Sequence, residues 1–409
     1  MQKKNDNEDN FTEQNGVSVH KDMLPPILTK SIDNIIKKEG YITCNFNNKI
    51  ISTNGGSYLG TLYEVKLKGK TAKGNKETNI FIKHIIPQKQ EDIFSVTEAY
   101  FKESFFYKEI TKVFMKLQDE AEVPNEDRLK MVKSFDDTNT ELICLENMAV
   151  DGYKTLNRMD VLPLKFAELS IKQLASFHGL SLVLKIKQPE YFDKNLKVFK
   201  QFFSCNDDWR AFVKNMVEQS CQNLNEECKK KVMDFLPSYW AKFPLYMEDS
   251  SMPGCTICHG DYRQNNVLMR EVNGEITEVV PVDYQLLYYG NPINDFLYFI
   301  FTASDREFRK NHLENLKNLY YISLEKFLKY FNLDLQSFYP RNEFERQYKE
   351  RFDYGLMMAL FSAPFCFTVE DQVPMIGEQK MKAVTFVLDR RIDERIQGVV
   401  DDYIQWGYL

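Results

Sequence analysis

The run Cys258-His259-Gly260-Asp261-Tyr262-Arg263-Gln264-Asn265-Asn266-Val267-Leu268, closed by Val282-Asp283-Tyr284-Gln285, constrains this chain more than any other stretch. It places an aspartate, an asparagine five residues later, and a second aspartate beyond the next pair of apolar runs. One carboxylate of such a set can orient or deprotonate a hydroxyl. The amide and the second carboxylate can hold the magnesium ions of a nucleoside triphosphate. That chemistry is phosphoryl transfer. Residues 267–271 and 275–282 are β-prone and meet at Asn273-Gly274, a strong hairpin signal. A two-residue loop sets Val272 opposite Glu275, and counting back sets Asn266 opposite Pro281, with Asp283 just beyond. Adjacent strands lie about 4.8 Å apart, so both side chains reach one metal cluster. Pro281 donates nothing to a ladder, which leaves the register free to slip. The competing reading, a surface hairpin with ordinary polar ends, leaves that convergence of residue types unexplained.

A chain of 409 residues suffices for two packed domains or one two-lobed enzyme. Its aromatic content of 14% predicts an interior rich in Phe and Tyr. No apolar run approaches the ~18 residues of a membrane span, and the polar start Met1-Gln2-Lys3-Lys4-Asn5-Asp6 lacks the core of a secretion signal. Residues 1–22 read as a polar, disordered tail. A formal net charge of −6 argues against a general nucleic-acid binder. The eight cysteines are scattered, which predicts a reducing compartment and a cytoplasmic protein. Cys255 and Cys258 have the spacing of a metal or redox pair. With no second such pair and no nearby histidine pair, they read as small core residues of a buried strand.

Periodicity divides the chain. Residues 27–38 are apolar at helical spacing; residues 61–67 alternate as a strand, and residues 79–86 form another, ended by Pro87. Ser95-Val96-Thr97-Glu98 is a capping box opening a helix to about Lys116. Residues 132–135 and 142–146 read as further strands. Beyond Asn147 the pattern is helical over 162–184, 209–235, 292–303, 311–330, 346–358 and 379–406, interrupted by the Asn273-Gly274 hairpin. The expectation is an α+β chain, a small β-rich N-lobe over residues 23–147 and a larger, mainly helical C-lobe over 148–409, with the chemistry at their junction.

Gly55, Gly56 and Gly60 precede a strand and offer a loop whose N–H groups can approach phosphate, although a glycine-rich turn fits equally. Lys83 lies within an apolar strand, where a lysine needs a carboxylate or phosphate partner. Glu103, beside Phe106 and Tyr107 on the following helix, is the favoured partner, with Glu98 and Glu109 as competitors. Such a pair aims the ammonium at the phosphates. His259 reads as a residue that fixes the loop backbone, and His178 as a satisfied core histidine. Asp295, opening a strongly apolar helix, reads as a brace for the loop or as an ordinary first-turn acid.

These residues resemble the ecdysteroid kinase-like (CHK kinase-like) proteins of insects, relatives of choline kinases and aminoglycoside phosphotransferases. The resemblance runs over residues 24–409, with markers at residues 55–63, Phe81-Ile82-Lys83, Glu103 with Phe106-Tyr107, Leu145-Glu146-Asn147, His259 to Asn266, Val282-Asp283-Tyr284-Gln285 and Asp295-Phe296-Leu297-Tyr298-Phe299. It implies a two-lobed, protein-kinase-like fold and ATP-dependent phosphorylation of a hydroxyl on a small molecule, an ecdysteroid or a dietary compound. Carried over by position, Asp261 is the catalytic base, Asn266 and Asp283 ligate Mg2+, Lys83 is the phosphate lysine with Glu103 its partner, and Glu146 to Met148 meet adenine. The family usually has Leu-Trp after the catalytic aspartate; here stand Tyr262-Arg263. Arg263 either stabilises the transferring phosphate or replaces an aromatic wall of the acceptor pocket. Two alternatives stand beside this reading. A choline or amino-alcohol kinase needs an acidic or aromatic cage. A catalytically silent ATP-binding scaffold is disfavoured by Lys83, Asp261, Asn266 and Asp283 occurring together.

Overall fold

In a computed structural model, the described residues are 16–18, 24–51, 59–86, 93–249, 251–374 and 380–409. Strand β1 (Gly16–Ser18), helix α1 (Pro26–Lys38) and strands β2 (Tyr41–Ile51), β3 (Gly60–Thr71) and β4 (Gly74–Ile85) open the chain. Helix α2 (Val96–Phe105) runs through a π-helical turn, Phe106–Ile110, into α3 (Thr111–Glu120), and β5 (Leu142–Glu146) completes an antiparallel sheet ordered β1-β2-β3-β4-β5. On β3 the alternate residues Tyr63, Val65 and Leu67 turn inward against Leu28, Ile32 and Ile35 of α1. Each such fully buried aliphatic side chain contributes roughly 1.5–3 kcal/mol. As the capping box predicts, Ser95 accepts a hydrogen bond from the Glu98 N–H and starts α2.

Several expectations for this part needed correction. Strand β2, rich in asparagine and therefore poor in β propensity, was not expected; ladder pairing with β3 along nearly its whole length outweighs propensity. Residues 132–135 reduce to a single bridge, Ser134 with Leu145. Gly16–Ser18, inside the expected tail, pair with Lys49–Ile51 along the otherwise open edge of β2. The other tail residues, 1–15 and 19–22, lie outside the described residues.

The remainder is mainly helical. It comprises β6 (Tyr153–Lys154), α4 (Leu164–Lys187), α5 (Pro189–Asn195), α6 (Asp207–Ser220), α7 (Glu226–Glu248), β7 (Thr256–Cys258), β8 (Val267–Val272), β9 (Glu275–Pro281), β10 (Tyr288–Gly290), α8 (Ile293–Ala303), α9 (Arg306–Lys329), α10 (Arg341–Glu350), α11 (Asp353–Phe367) and α12 (Arg391–Gln405). The expected helix over 209–235 is two helices, because Asn225 caps a new start by accepting the Cys228 N–H. The expected helix over 346–358 is likewise divided between α10 and α11, and the last helix begins only at Arg391. Strands β6, β7 and β10 add to the one hairpin expected here: β6 pairs with β8, and β7 pairs with β10. Among the described residues no helix is long and apolar enough to cross a membrane. The whole is the two-lobed α+β architecture anticipated above.

The hairpin turns as its sequence requires, with Asn273 at φ 53° and Gly274 at φ 81°. Val272 faces Glu275, but a bulge between Arg270 and Glu271 moves the register by one residue, so Val267 faces Pro281. Asn266 then lies opposite Val282, whose N–H donates to the Asn266 carbonyl at 2.9 Å. The slip brings Asn266 next to Asp283.

Candidate active site

Lys83 emerges from the middle of β4 and is 5% exposed. Its ammonium donates to Glu103 Oε2 at 3.1 Å and to Asp283 Oδ1 at 2.9 Å. Glu103, on the inner face of α2, is 2% exposed, whereas Glu98 and Glu109 are exposed and Glu98 pairs with Lys102. Burial works against the charged lysine, yet the two carboxylates outweigh it and hold the Lys83 pKa above its ordinary value. Burial likewise opposes charge on Asp283, and the ammonium outweighs it, so that carboxyl is held low. Glu103 is pushed up, chiefly by burial, against the pull of the same ammonium.

Asp283 sits in the left-handed region at φ 66°, ψ 65°, a conformation that costs a non-glycine residue on the order of 1 kcal/mol. The residue after it is held firmly. The Tyr284 ring stacks on Phe106 with centroids 3.6 Å apart and meets Tyr107 edge-on at 5.7 Å. The π-helical turn that follows Glu103 is thus packed directly on the segment that carries Asp283.

Asp295, in the first turn of α8, accepts the His259 N–H at 2.6 Å and the Gly260 N–H at 2.9 Å. His178 reaches the same carboxylate through Nε2 at 3.1 Å and contacts the Tyr320 hydroxyl through Nδ1 at 2.8 Å. Gly260 lies at φ +80°, and a Cβ there would fall 2.1 Å from the Leu286 carbonyl oxygen, so this position requires glycine. Burial holds the His259 imidazole below its ordinary pKa; in its neutral form Nε2–H donates to the Val282 carbonyl at 3.0 Å. His259 therefore ties the loop to the hairpin. Replacing Asp295 by Ala orphans two buried N–H groups, and we expect on the order of 3 kcal/mol of lost stability, read from the denaturant midpoint, together with reduced turnover.

The loop presents Asp261. Its Oδ2 accepts from Asn266 Nδ2 at 2.8 Å, and its Oδ1 accepts from the Tyr298 hydroxyl at 2.7 Å and lies 3.0 Å from Arg263 Nε. Tyr298 was not singled out from the sequence as a site residue. The available signal was its position three residues after Asp295, on the same helical face. Tyr262 points away, fully buried, and donates to the Ser170 carbonyl at 2.6 Å.

A cavity of about 650 Å³ brings Lys83, Glu103, Glu146, Met148, Asn266 and Asp283 onto one wall system. Asp261 and Arg263 line a neighbouring, smaller cavity, which Asp283 also borders. Gly60 heads β3, where a Cβ would lie 2.1 Å from the Tyr100 hydroxyl; packing accounts for this glycine, and it does not line the larger cavity. Gly55 and Gly56 fall outside the described residues.

A sheet lobe and a helical lobe, with a buried lysine–carboxylate pair facing an aspartate–asparagine loop, define the kinase-like class. The chain belongs to the ecdysteroid kinase-like family, whose model matches residues 54–333. Among solved structures it is similar to an ethanolamine kinase of Plasmodium vivax, with 13% identity, a TM-score of 0.42, and coverage of 95% of this chain and 87% of that one. It is also similar to a putative aminoglycoside phosphotransferase of Ralstonia eutropha, with 11% identity, a TM-score of 0.40, and coverage of 81% and 98%. The GDP complex of aminoglycoside 2'-phosphotransferase-IIIa shares 12% identity at a TM-score of 0.37, over 81% of this chain and 96% of that one. No curated protein matches the chain significantly.

Proposed function

We propose that this chain transfers the γ-phosphoryl group of ATP to a hydroxyl of a small molecule, an ecdysteroid or a related dietary or xenobiotic compound. The observation that carries this reading is Lys83, held between Glu103 and Asp283 at the wall of a cavity that adjoins Asp261. Within that cavity the backbone of residues 146–148 meets the adenine, and Lys83 binds the phosphates. Asp261 accepts the acceptor hydroxyl's hydrogen bond and aligns its oxygen with the γ-phosphorus, which converts an encounter into an oriented reaction. Arg263, beside Asp261, adds positive charge where the phosphoryl group passes.

Asn266 and Asp283 supply the amide and carboxylate oxygens that suit magnesium, a hard cation preferring oxygen donors. When bound, the metal neutralises charge on the phosphoryl oxygens.

The test is ATP consumption by the purified protein with magnesium, against ecdysteroids, plant sterols, phenols and choline, each product weighed for one added phosphate. Phosphorylated product that disappears in Asp261→Asn supports the reading. Tight Mg-ATP binding without transfer to any acceptor overturns the kinase reading in favour of a scaffold.

A further inference from the structure

Helix α2 carries a second buried lysine, next to Glu103, that phosphoryl transfer as described above does not use. Lys102 is 1% exposed. Its ammonium donates to the backbone carbonyl of Lys200 at 2.7 Å and lies 2.9 Å from Glu98 Oε1, a carboxylate half exposed to solvent. Burying an ammonium costs free energy unless its partners offset the loss of water. The Glu98 contact joins two residues of one helix, one of them in solvent, where such pairs contribute little. The contact that matters is the one to Lys200, 98 residues away in the chain.

That contact lies where the lobes meet. Lys200 belongs to the irregular segment 196–206, which connects α5 to α6. The connector is fixed to the C-lobe: the Tyr289 N–H of β10 donates to the Phe199 carbonyl at 2.9 Å, and Phe203 meets Phe361 of α11 edge-on at 5.6 Å. It is fixed to the N-lobe as well. The Ser204 N–H donates to the Ile93 carbonyl at 2.9 Å, Phe202 stacks on Phe94 at 4.6 Å, and Phe199 meets Phe105 of α2 edge-on at 5.7 Å. Residues three apart share a helical face, so Lys102 and Phe105 lie on one side of α2 while Tyr100 and Glu103 lie on another. On that second side the Tyr100 hydroxyl donates to the Leu59 carbonyl at 3.4 Å, and Glu103 meets Lys83. One side of the helix is held by the connector, and the other presents Glu103 to the sheet.

We propose that Lys102 is a positioning residue: its bond to the Lys200 carbonyl fixes the rotation of α2 about its axis and so keeps Glu103 on Lys83. This inference rests on the phosphoryl-transfer reading above and deepens it at the same site. Glu103 and Asp283 share one ammonium. When α2 turns away, Lys83 is left to Asp283 alone, and the carboxylate that suits magnesium is held by the lysine instead. The phosphates of the nucleotide then meet a displaced lysine and a weaker metal site.

The test is a double-mutant cycle on Mg-ATP affinity, read by calorimetric titration so that no acceptor is needed. Lys102→Met keeps most of the buried volume and removes the donor. We expect it to weaken Mg-ATP binding about tenfold, the scale of one hydrogen bond from a charged group. In a Glu103→Gln background the same change is expected to weaken binding by less than about twofold, because the residue it acts through is already altered. Unchanged affinity in Lys102→Met overturns the proposal. So do losses that simply multiply in the double variant, since they make Lys102 an independent stabiliser of the lobe junction. If Lys102→Met does not fold, Phe199→Leu loosens the same connector from its apolar side. It is expected to show the same dependence on Glu103, and multiplying losses there overturn the proposal equally. Failure of the kinase reading shows separately: Mg-ATP binds and the cycle holds, yet no acceptor gains phosphate.

Discussion

Asp261→Asn is expected to lower phosphoryl transfer by roughly 10²–10⁴-fold, the usual contribution of a positioned acid–base group, while ATP affinity stays unchanged. The substitution keeps the side-chain shape but replaces one acceptor oxygen with an amide. One face of that amide must then confront the Asn266 Nδ2 donor or the Tyr298 hydroxyl and Arg263, all of which now point at carboxylate oxygens. The acceptor hydroxyl loses the group that orients it. On the proposed reading ATP occupies the larger cavity, which Asp261 does not line, so its affinity is spared. The measurement is kcat with a productive acceptor beside calorimetric titration of Mg-ATP, and unchanged kcat removes Asp261 from the role proposed for it.

Lys83→Met is expected to be as severe and to show in stability as well as activity. The ammonium sits between the buried Glu103 carboxylate and the half-buried Asp283 carboxylate, so its removal leaves the two facing each other without a counter-charge. Breaking a buried pair in this way costs about 3–5 kcal/mol. The sign of the pH dependence follows from the shifts already present. Glu103 has a raised pKa in the folded protein, so the folded state binds its proton more readily than the unfolded state. Its contribution is therefore full below the ordinary carboxylate range and declines as the pH climbs through the raised value. Without Lys83 one carboxyl is driven further toward the protonated form. The stability gap between variant and wild type should then be smaller near pH 5 than near pH 8. Urea midpoints at the two pH values check this, and a gap that widens at low pH contradicts the burial of an uncompensated carboxylate pair.

Much of the site was readable in the linear order of residues. An aspartate and an asparagine five apart in one loop, a glycine at the position that needs positive φ, and an Asn-Gly turn are local features, and their geometry follows from a few consecutive dihedral angles. Lys83 was equally legible, because an ammonium in an apolar strand needs a partner. Glu103 was favoured over Glu98 and Glu109 for its place beside Phe106 and Tyr107 taken with the downstream loop, and the structure pairs it with Lys83 just before the π-helical turn that follows Phe105. Tyr298 was less visible: its place one helical turn after Asp295 is a weak local mark of its contact with a residue 37 positions away in the chain. The register of the hairpin was missed by one residue because bulge formation depends on what packs on each face.

The sequence by itself determined the class of fold, a sheet lobe before a helical lobe, and the loop and hairpin on which the proposed phosphoryl transfer rests. Those are short-range properties, set by side-chain alternation, helical spacing, caps and turns. Only the tertiary structure decided that Lys83 is shared between Glu103 and Asp283 and that Tyr298 and Arg263 converge on Asp261. It likewise brought phenylalanines from residues 94, 202, 203, 212, 361 and 365 to one cavity. The Lys83–Asp283 and Tyr298–Asp261 contacts and the phenylalanine wall join elements far apart in the chain. Burial and the packing of apolar faces bring such elements together, and no local pattern encodes which polar groups then meet.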